Sequence, residues 1–249
     1  MATADQPTMR CLAAVSFGLL LVLPACLEME QTIVLKADGS GTQSLKMTMR
    51  EAAIAEVQKA SPAAQLGETV NATAVFDKDL VERELRTLGL GLTAHTTKKV
   101  PGKRSVELEA TFVDFATLQK TPLCGSAAEW VLSAGPKPGT AKLTLYLQGK
   151  AAWNEARAKA EKMTGTVDPV VADYFKKRQT QIAGLDVSFR FQVPGDVLIW
   201  TRNLEKTGDR EVTARITAQQ IQTPEDLVRR LAPRFEVVFD CKDCKLPLQ

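Results

Sequence analysis

A strict alternation of apolar and polar residues recurs along this chain, and it limits the possible folds more than any other feature of the sequence. Successive side chains of a strand point to opposite faces of a sheet, so this alternation is typical of strands with one buried face. The segment Asp38–Gly41 predicts a turn that joins residues 32–36 to the first of these strands in a hairpin. The apolar positions of the predicted strands are Leu45, Met47 and Met49; Val106, Leu108, Ala110 and Phe112; Leu143, Leu145 and Leu147; Val187, Phe189, Phe191 and Val193; Val212, Ala214 and Ile216; and Phe235, Val237 and Phe239.

Helical patterns lie between these strands. The predicted helices cover Arg50–Ala60, Asp77–Leu88, Lys150–Met163, Pro169–Leu185 and Pro224–Leu231. Two of them follow a capping residue with proline in the first turn, an arrangement that helix N-termini favour. We therefore predict an α+β fold, a largely antiparallel sheet with helices packed on one face and a central pair of helices inserted at about residues 150–185.

The composition is that of a globular domain, since 45% of the residues are hydrophobic and 24% are charged. The net charge of +3 is too small to indicate nucleic acid, and we expect no such partner. Basic residues form two local clusters, which are Lys98, Lys99, Lys103 and Arg104 around the turn Pro101–Gly102, and Lys176, Lys177 and Arg178 in a predicted helix. We interpret both clusters as solvated surfaces, with anionic lipid head groups as the alternative.

The N-terminal region carries an apolar run from Cys11 to Leu23 behind Arg10. A permanent membrane-spanning helix needs about 20 apolar residues, so this shorter run predicts a signal peptide. The run closes on Leu23-Pro24-Ala25-Cys26, which is typical of the processing site of a bacterial lipoprotein. We predict that residues 1–25 are removed and that Cys26 is acylated, with an ordinary secretory signal or an uncleaved anchor as the alternatives.

An acylated Cys26, carrying palmitate or similar chains, would hold the protein stably in a membrane, because each buried CH₂ contributes about 0.8 kcal/mol. Charged residues interrupt every later hydrophobic run, so residues 26–249 are predicted to form one extracytoplasmic domain. Leu27 directly follows Cys26, and an aspartate at this position often retains lipoproteins at the inner membrane. We therefore expect the periplasmic face of the outer membrane in a double-membraned bacterium, and the outer face of the cell membrane otherwise.

Two segments resemble a known family. Glu30–Leu35 leads into the turn Asp38–Gly41, and the strand Phe189–Val193 continues as Pro194–Val197. In these segments, together with the acylation site, the chain is similar to the LppM-type family of bacterial lipoproteins. The resemblance implies an α+β extracytoplasmic domain and, because some members are linked to lipid or glycolipid binding, a lipid ligand.

Three cysteines remain once Cys11 leaves with the signal and Cys26 takes lipid. An oxidising compartment favours one disulfide among Cys124, Cys241 and Cys244. The favoured link joins Cys124 to one of the C-terminal pair, and it would contribute about 3–4 kcal/mol by constraining the unfolded chain. A local link within that pair is the alternative, and a zinc site that adds His95 is disfavoured by the irregular separations.

Catalytic motifs are missing from the sequence. There is no Gly-x-Ser-x-Gly elbow, Ser-x-x-Lys motif, phosphate-binding loop or His-Glu-x-x-His helix. His95, the only histidine, lies in a predicted strand at residues 92–97, where a surface position explains it. We expect no enzyme activity, no metal and no cofactor.

Two functions remain from different classes. The first is a binding module for a lipid or other amphiphile, in which the inserted helices cover an apolar sheet face and Trp153, Tyr174, Phe175, Lys176, Lys177 and Arg178 form a lid with a polar rim. Aromatic residues at this helical spacing are more often ordinary core. The second is a structural or assembly lipoprotein that recruits another envelope protein through a strand edge or the helical pair.

Overall fold

The strands of this protein divide between two sheets. The structure, a computed structural model, describes residues 27–54, 74–125, 127–162 and 169–248. The predicted signal peptide and Cys26 lie outside these residues. The strands are β1 (Leu27–Leu35), β2 (Gly41–Arg50), β3 (Gly91–Val100), β4 (Lys103–Phe112), β5 (Glu129–Ala134), β6 (Thr140–Tyr146), β7 (Asp186–Gln192), β8 (Val197–Trp200), β9 (Glu205–Gly208), β10 (Glu211–Thr217) and β11 (Arg234–Asp240).

The larger sheet has seven strands in the order β3-β4-β2-β1-β7-β10-β9. Its central pair, β1 and β7, is parallel, and its other pairs are antiparallel. The predicted opening hairpin is confirmed, with Leu35 opposite Gly41 and Leu27 opposite Met49. A second hairpin joins β3 to β4 through Pro101 and Gly102, where Gly102 has a φ of +75° that favours glycine.

The smaller sheet has four antiparallel strands in the order β5-β6-β11-β8. Aromatic side chains join it to the larger sheet. The ring centroids of Trp130 on β5 and Phe191 on β7 are 6.2 Å apart, and Phe235 on β11 lies 5.5 Å from Phe189. All four side chains are buried, so the inner faces of the two sheets share one core.

The helices are α1 (Lys78–Thr87), α2 (Phe115–Leu118), α3 (Gly149–Lys162), α4 (Pro169–Ile182) and α5 (Pro224–Leu231), with 3₁₀ turns at Ala74–Phe76 and Ala218–Gln220. Asp77 and Thr223 cap α1 and α5 by accepting backbone N–H groups through their side chains. The predicted helix at Arg50–Ala60 is helical at residues 51–54, and its remainder lies outside the described residues. Within the parts that the structure describes, none of the helices has the length and apolar character that crossing a bilayer requires.

The predicted α+β class is confirmed, and the pairing is largely antiparallel. The structure differs from the expectation of a single sheet covered by helices, because the apolar face of the larger sheet packs on the smaller sheet. The two inserted helices, α3 and α4, do lie between β6 and β7 in the chain. Between Leu143, Phe191 and Phe235 the remaining gap has no room for a water molecule, so this part of the core is tightly packed.

Candidate functional site

An open cleft of about 630 Å³ lies between α3, α5 and the strand ends beside them. Its apolar lining comes from Trp153, Ala156, Ile216, Ala232, Pro233 and Phe235. Its charged lining consists of six arginines and two carboxylates, an excess of four positive charges, and these residues are Arg157, Arg202, Arg215, Arg229, Arg230, Arg234, Glu161 and Asp226. Such a lining offers an apolar wall and many guanidinium donors to the same ligand.

Trp153 forms the aromatic wall of the cleft from α3. Its ring packs edge-on against Tyr146, with 5.7 Å between the centroids. The guanidinium of Arg234 lies over the ring at 4.6 Å from its centroid, and that of Arg157 at 5.9 Å. These cation–π contacts hold two of the arginines beside the indole ring.

Four arginines of the cleft have carboxylate partners, and the longest of these pairs joins Arg234 to Glu236 at 3.9 Å. Arg215 donates to both oxygens of Asp186, at 2.9 and 2.6 Å. This hydrogen bonding holds the pKa of Asp186 below its ordinary value of 3.8. Arg157 pairs with Glu161 at 2.9 Å, and Arg229 pairs with Glu225 at 2.8 Å.

Arg202 and Arg230 are different, because neither has an ion-pair partner among the described residues. The nearby carboxylate of Asp226 accepts hydrogen bonds from the backbone and side chain of Thr223, at 3.0 and 2.9 Å. It is therefore engaged in capping α5. A guanidinium is always charged at physiological pH and matches carboxylate and phosphate in shape, so these two arginines make the cleft suited to an anion.

The structure brings only part of the predicted lid to this cleft. Trp153 lines it, whereas Tyr174, Lys176, Lys177 and Arg178 do not. Arg178 donates to the hydroxyl of Tyr174 at 2.9 Å and lies over its ring. Lys177 pairs with Asp173 at 2.9 Å, and the hydrogen bond raises the pKa of Lys177. Phe175 is buried, and a ligand role for this part of α4 stays a prediction.

Sequence reasoning missed the arginines of the cleft. They come from α3, the segment after β8, β10, α5 and the start of β11, which are distant from one another in the chain. The one local signal is the close spacing of Arg229, Arg230 and Arg234 near the C-terminus. That spacing alone is also typical of a solvated helix face.

Cys124 belongs to a buried polar cluster. Its Sγ donates to Oε1 of Gln31 at 3.0 Å and accepts from Nε2 of Gln43 at 3.1 Å. Thr121 donates to Gln43 at 2.7 Å, and Gln31 donates to the carbonyl of Leu123. Burial raises the pKa of the Cys124 thiol far above its ordinary value.

The other two cysteines lie together in a turn after β11. The backbone N–H of Cys244 donates to the carbonyl of Cys241 at 3.2 Å. Burial, followed by the contact with Cys244, raises the pKa of Cys241 to about 12. All three described cysteines are free thiols in the structure. No disulfide is seen among these three cysteines, and the link from Cys124 to the C-terminal pair stays a prediction.

His95 lies on β3, where its side chain contacts the backbone of a neighbouring segment. Its Nε2 lies 2.9 Å from the backbone carbonyl of Val75, and the side chain is partly buried. Across the segments that the structure describes, no group of three or more His, Cys, Asp or Glu side chains is arranged to hold a metal ion.

Comparison with known proteins gives a structural likeness only. No family model matches the sequence, and no curated protein matches it. Among solved structures, the chain is similar to the NMR structure of the folded domain of the Mycobacterium tuberculosis LppM protein. The TM-score is 0.42 and the identity 11%, over 88% of this chain and 91% of that chain. The resemblance to the LppM-type family is thus a loose one.

Proposed function

We propose that this chain is a membrane-anchored lipoprotein of the bacterial cell envelope that serves as a non-catalytic binding module for a lipid or another amphiphile. The observation that carries the proposal is the arginine-lined cleft beside Trp153. Lipid acylation at Cys26 places the domain at a membrane, either on the periplasmic face of the outer membrane or, in a single-membraned bacterium, on the outer face of the cell membrane.

The size and chemistry of the cleft support an amphiphile with an anionic group. Ligand sites commonly enclose about 300–1,000 Å³, and this cleft measures about 630 Å³. Arg202 and Arg230 would donate to a phosphate or carboxylate, since charge-assisted hydrogen bonds from guanidinium are strong and directional. Trp153, Ile216 and Phe235 would contact the apolar part of the same molecule.

Lipid retained by the protein tests the binding role. The lipoprotein is purified in mild detergent, extracted with organic solvent, and the anionic lipid per protein molecule is measured by mass spectrometry. We expect the double variant Arg202→Gln/Arg230→Gln to retain at least about tenfold less anionic lipid, because one charge-assisted hydrogen bond alone contributes about 1.5–3 kcal/mol and about 1.4 kcal/mol is a factor of ten.

Lys78→Gln/Arg83→Gln is the matched control, because both residues are exposed on α1 and neither lines the cleft. This variant loses the same charge and is expected to retain lipid at the wild-type level. A wild-type protein without retained lipid would remove the binding-module proposal. Equal loss in both variants would assign the lipid to general surface charge and not to the cleft.

The anchor has its own test. Cys26→Ser removes the sulfur that receives the acyl chains, so we expect the variant to move from the detergent phase to the aqueous phase in detergent partitioning, or to remain an unprocessed precursor. Cys11→Ser changes a cysteine inside the predicted signal and is expected to leave partitioning unchanged. A Cys26→Ser protein that is processed and partitions like the wild type would contradict acylation at this residue.

An assembly role is the second candidate, and one observation favours it. β8 is an edge strand of the smaller sheet, and Leu198, Ile199 and Trp200 on it are 48%, 52% and 40% exposed. An exposed apolar strand edge can pair with a strand of another protein. Under this alternative, a photo-crosslinker at Leu198 forms one discrete protein adduct in the envelope, Ile199→Lys abolishes the adduct, and the purified protein carries no lipid.

A further inference from the structure

The chain enters the larger sheet at the end that carries its basic hairpin. Leu27, the first residue after Cys26, pairs with Met49; Met49 pairs with Arg104, and Arg104 pairs with Lys99. These four residues form one row across β1, β2, β4 and β3. Neighbouring strands are about 4.8 Å apart, so the row extends about 14 Å from the entry point to the edge of the sheet.

Basic side chains are concentrated in and next to this row. Arg50, Lys98, Lys99 and Lys103 are exposed, and Arg104 is partly buried. Two carboxylates lie at the same end of these strands, Glu28 and Glu51, which leaves an excess of three positive charges. Glu51 lies 3.6 Å from Lys99 and 3.5 Å from Arg104.

The hairpin tip has a further feature that fits a bilayer surface. Val100 is 54% exposed, although it is apolar, and it is paired with Lys103 at the outermost row. Basic residues around an apolar tip are typical of segments that contact lipid head groups and reach the upper part of the acyl region.

From this placement we infer that the basic end of the larger sheet docks onto an anionic phospholipid surface, so that the strands stand on the membrane that holds Cys26. The inference rests on the proposed acylation of Cys26. No intervening segment separates Cys26 from β1, because the strand begins at Leu27. The basic residues in and next to the row then lie within about a Debye length of the phosphates, where attraction acts without much screening.

Lysine labelling on vesicles tests this orientation. The full lipoprotein is reconstituted into vesicles of phosphatidylcholine alone, or of phosphatidylcholine with phosphatidylglycerol, and is treated briefly with an amine-acetylating reagent. We expect Lys98, Lys99 and Lys103 to react about fivefold more slowly on the anionic vesicles. The attraction of one basic residue to such a surface is about 1 kcal/mol, which corresponds to a factor of about five. High salt is expected to remove the difference.

Lysines at the opposite end of the sheet provide the internal control. Lys36 follows β1, and Lys245 donates its backbone N–H to the carbonyl of Ala37. Both side chains are exposed, and a ten-residue strand places this end about 30 Å from the hairpin. Their reaction rates are expected to be the same on both kinds of vesicle.

A pair of matched variants makes the test specific. Lys98→Gln/Lys103→Gln is expected to raise the labelling of Lys99 on anionic vesicles toward its rate on phosphatidylcholine, whereas Lys36→Gln/Lys245→Gln is expected to leave the protection of Lys99 unchanged. Equal labelling of the hairpin on both vesicle types, in a protein that floats with both, would overturn the docking alone. A protein that does not float with phosphatidylcholine vesicles would overturn the anchor, and the docking with it.

Discussion

Two glutamines in the apolar rows of β1 and β2 tie a distant segment to the core. Gln31 and Gln43 are fully buried, and their amides contact Thr121, Leu123 and Cys124. A buried polar group stabilises the fold only while its partners are present, because an unpaired one keeps its full desolvation penalty. These residues therefore specify where the segment after α2 packs on the larger sheet.

Gln43→Leu leaves the thiol of Cys124 and the hydroxyl of Thr121 without the amide that they contact. We expect the free energy of unfolding to fall by about 1–3 kcal/mol, measured by urea denaturation. Gln192→Leu changes an exposed residue of β7 and is expected to stay within about 0.5 kcal/mol of the wild type. Equal stability of Gln43→Leu and wild type would mean that the polar cluster does not hold this segment.

The pair of Asp186 and Arg215 predicts a pH dependence. The pKa of Asp186 is lowered in the fold by the hydrogen bonds from Arg215, so its stabilising contribution is present above its ordinary pKa of 3.8 and is lost as the pH falls through the lowered value. We expect Asp186→Asn to unfold at lower urea than the wild type at neutral pH, and the difference to shrink at about pH 3 and below. The effect is small, because the two side chains are 39% and 64% exposed. A difference that grows on acidification would contradict this assignment.

Local periodicity identified most of the strands and failed where periodicity is absent. β2, β4, β6, β7, β10 and β11 cover the alternating segments except for Leu147 and Val193, which lie one residue past the ends of β6 and β7. β8 is a run of four apolar residues and β9 has four residues of which none is hydrophobic, so neither shows an alternation. The division into two sheets depends on pairs such as β1 with β7, which are far apart in the sequence. Trp153 could be singled out as an aromatic residue in a helix, but the arginines around it meet only through those pairings.

The turn after β11 favours a different disulfide from the one that the sequence favoured. Cys241 and Cys244 contact each other, while Cys124 is 1% exposed and bonded to glutamines. In an oxidising compartment we expect peptide mapping under non-reducing conditions to recover the local Cys241–Cys244 link, with Cys124 alkylated only after unfolding. Since the thiolate is the reactive form and the pKa of Cys241 is raised to about 12, the link should form faster at alkaline pH. A peptide that joins Cys124 to either cysteine would contradict the local link and confirm the prediction made from the sequence.

The arginine cleft and the basic hairpin both belong to a domain in which the two sheets share one core. Phe235 belongs to the smaller sheet, contacts Phe189 and Phe191 of the larger sheet, and also lines the arginine cleft. Arg215, on β10 of the larger sheet, lines the same cleft with Arg234 of the smaller one. The cleft therefore keeps its shape only while the two sheets stay packed, and the basic hairpin is carried on the same rigid sheet.

Phe189→Ala tests this coupling, because Phe189 is fully buried between the sheets. Removing a buried phenylalanine side chain destabilises a fold by about 3–5 kcal/mol. If the sheets share one core, the loss appears as a single transition at lower denaturant, with tryptophan fluorescence and far-ultraviolet circular dichroism changing together. Val113→Ala, at a side chain that is 73% exposed, is expected to leave the midpoint nearly unchanged. Separate transitions for the two signals would show that each sheet is stable by itself, and the cleft between their residues would then open without unfolding of the domain.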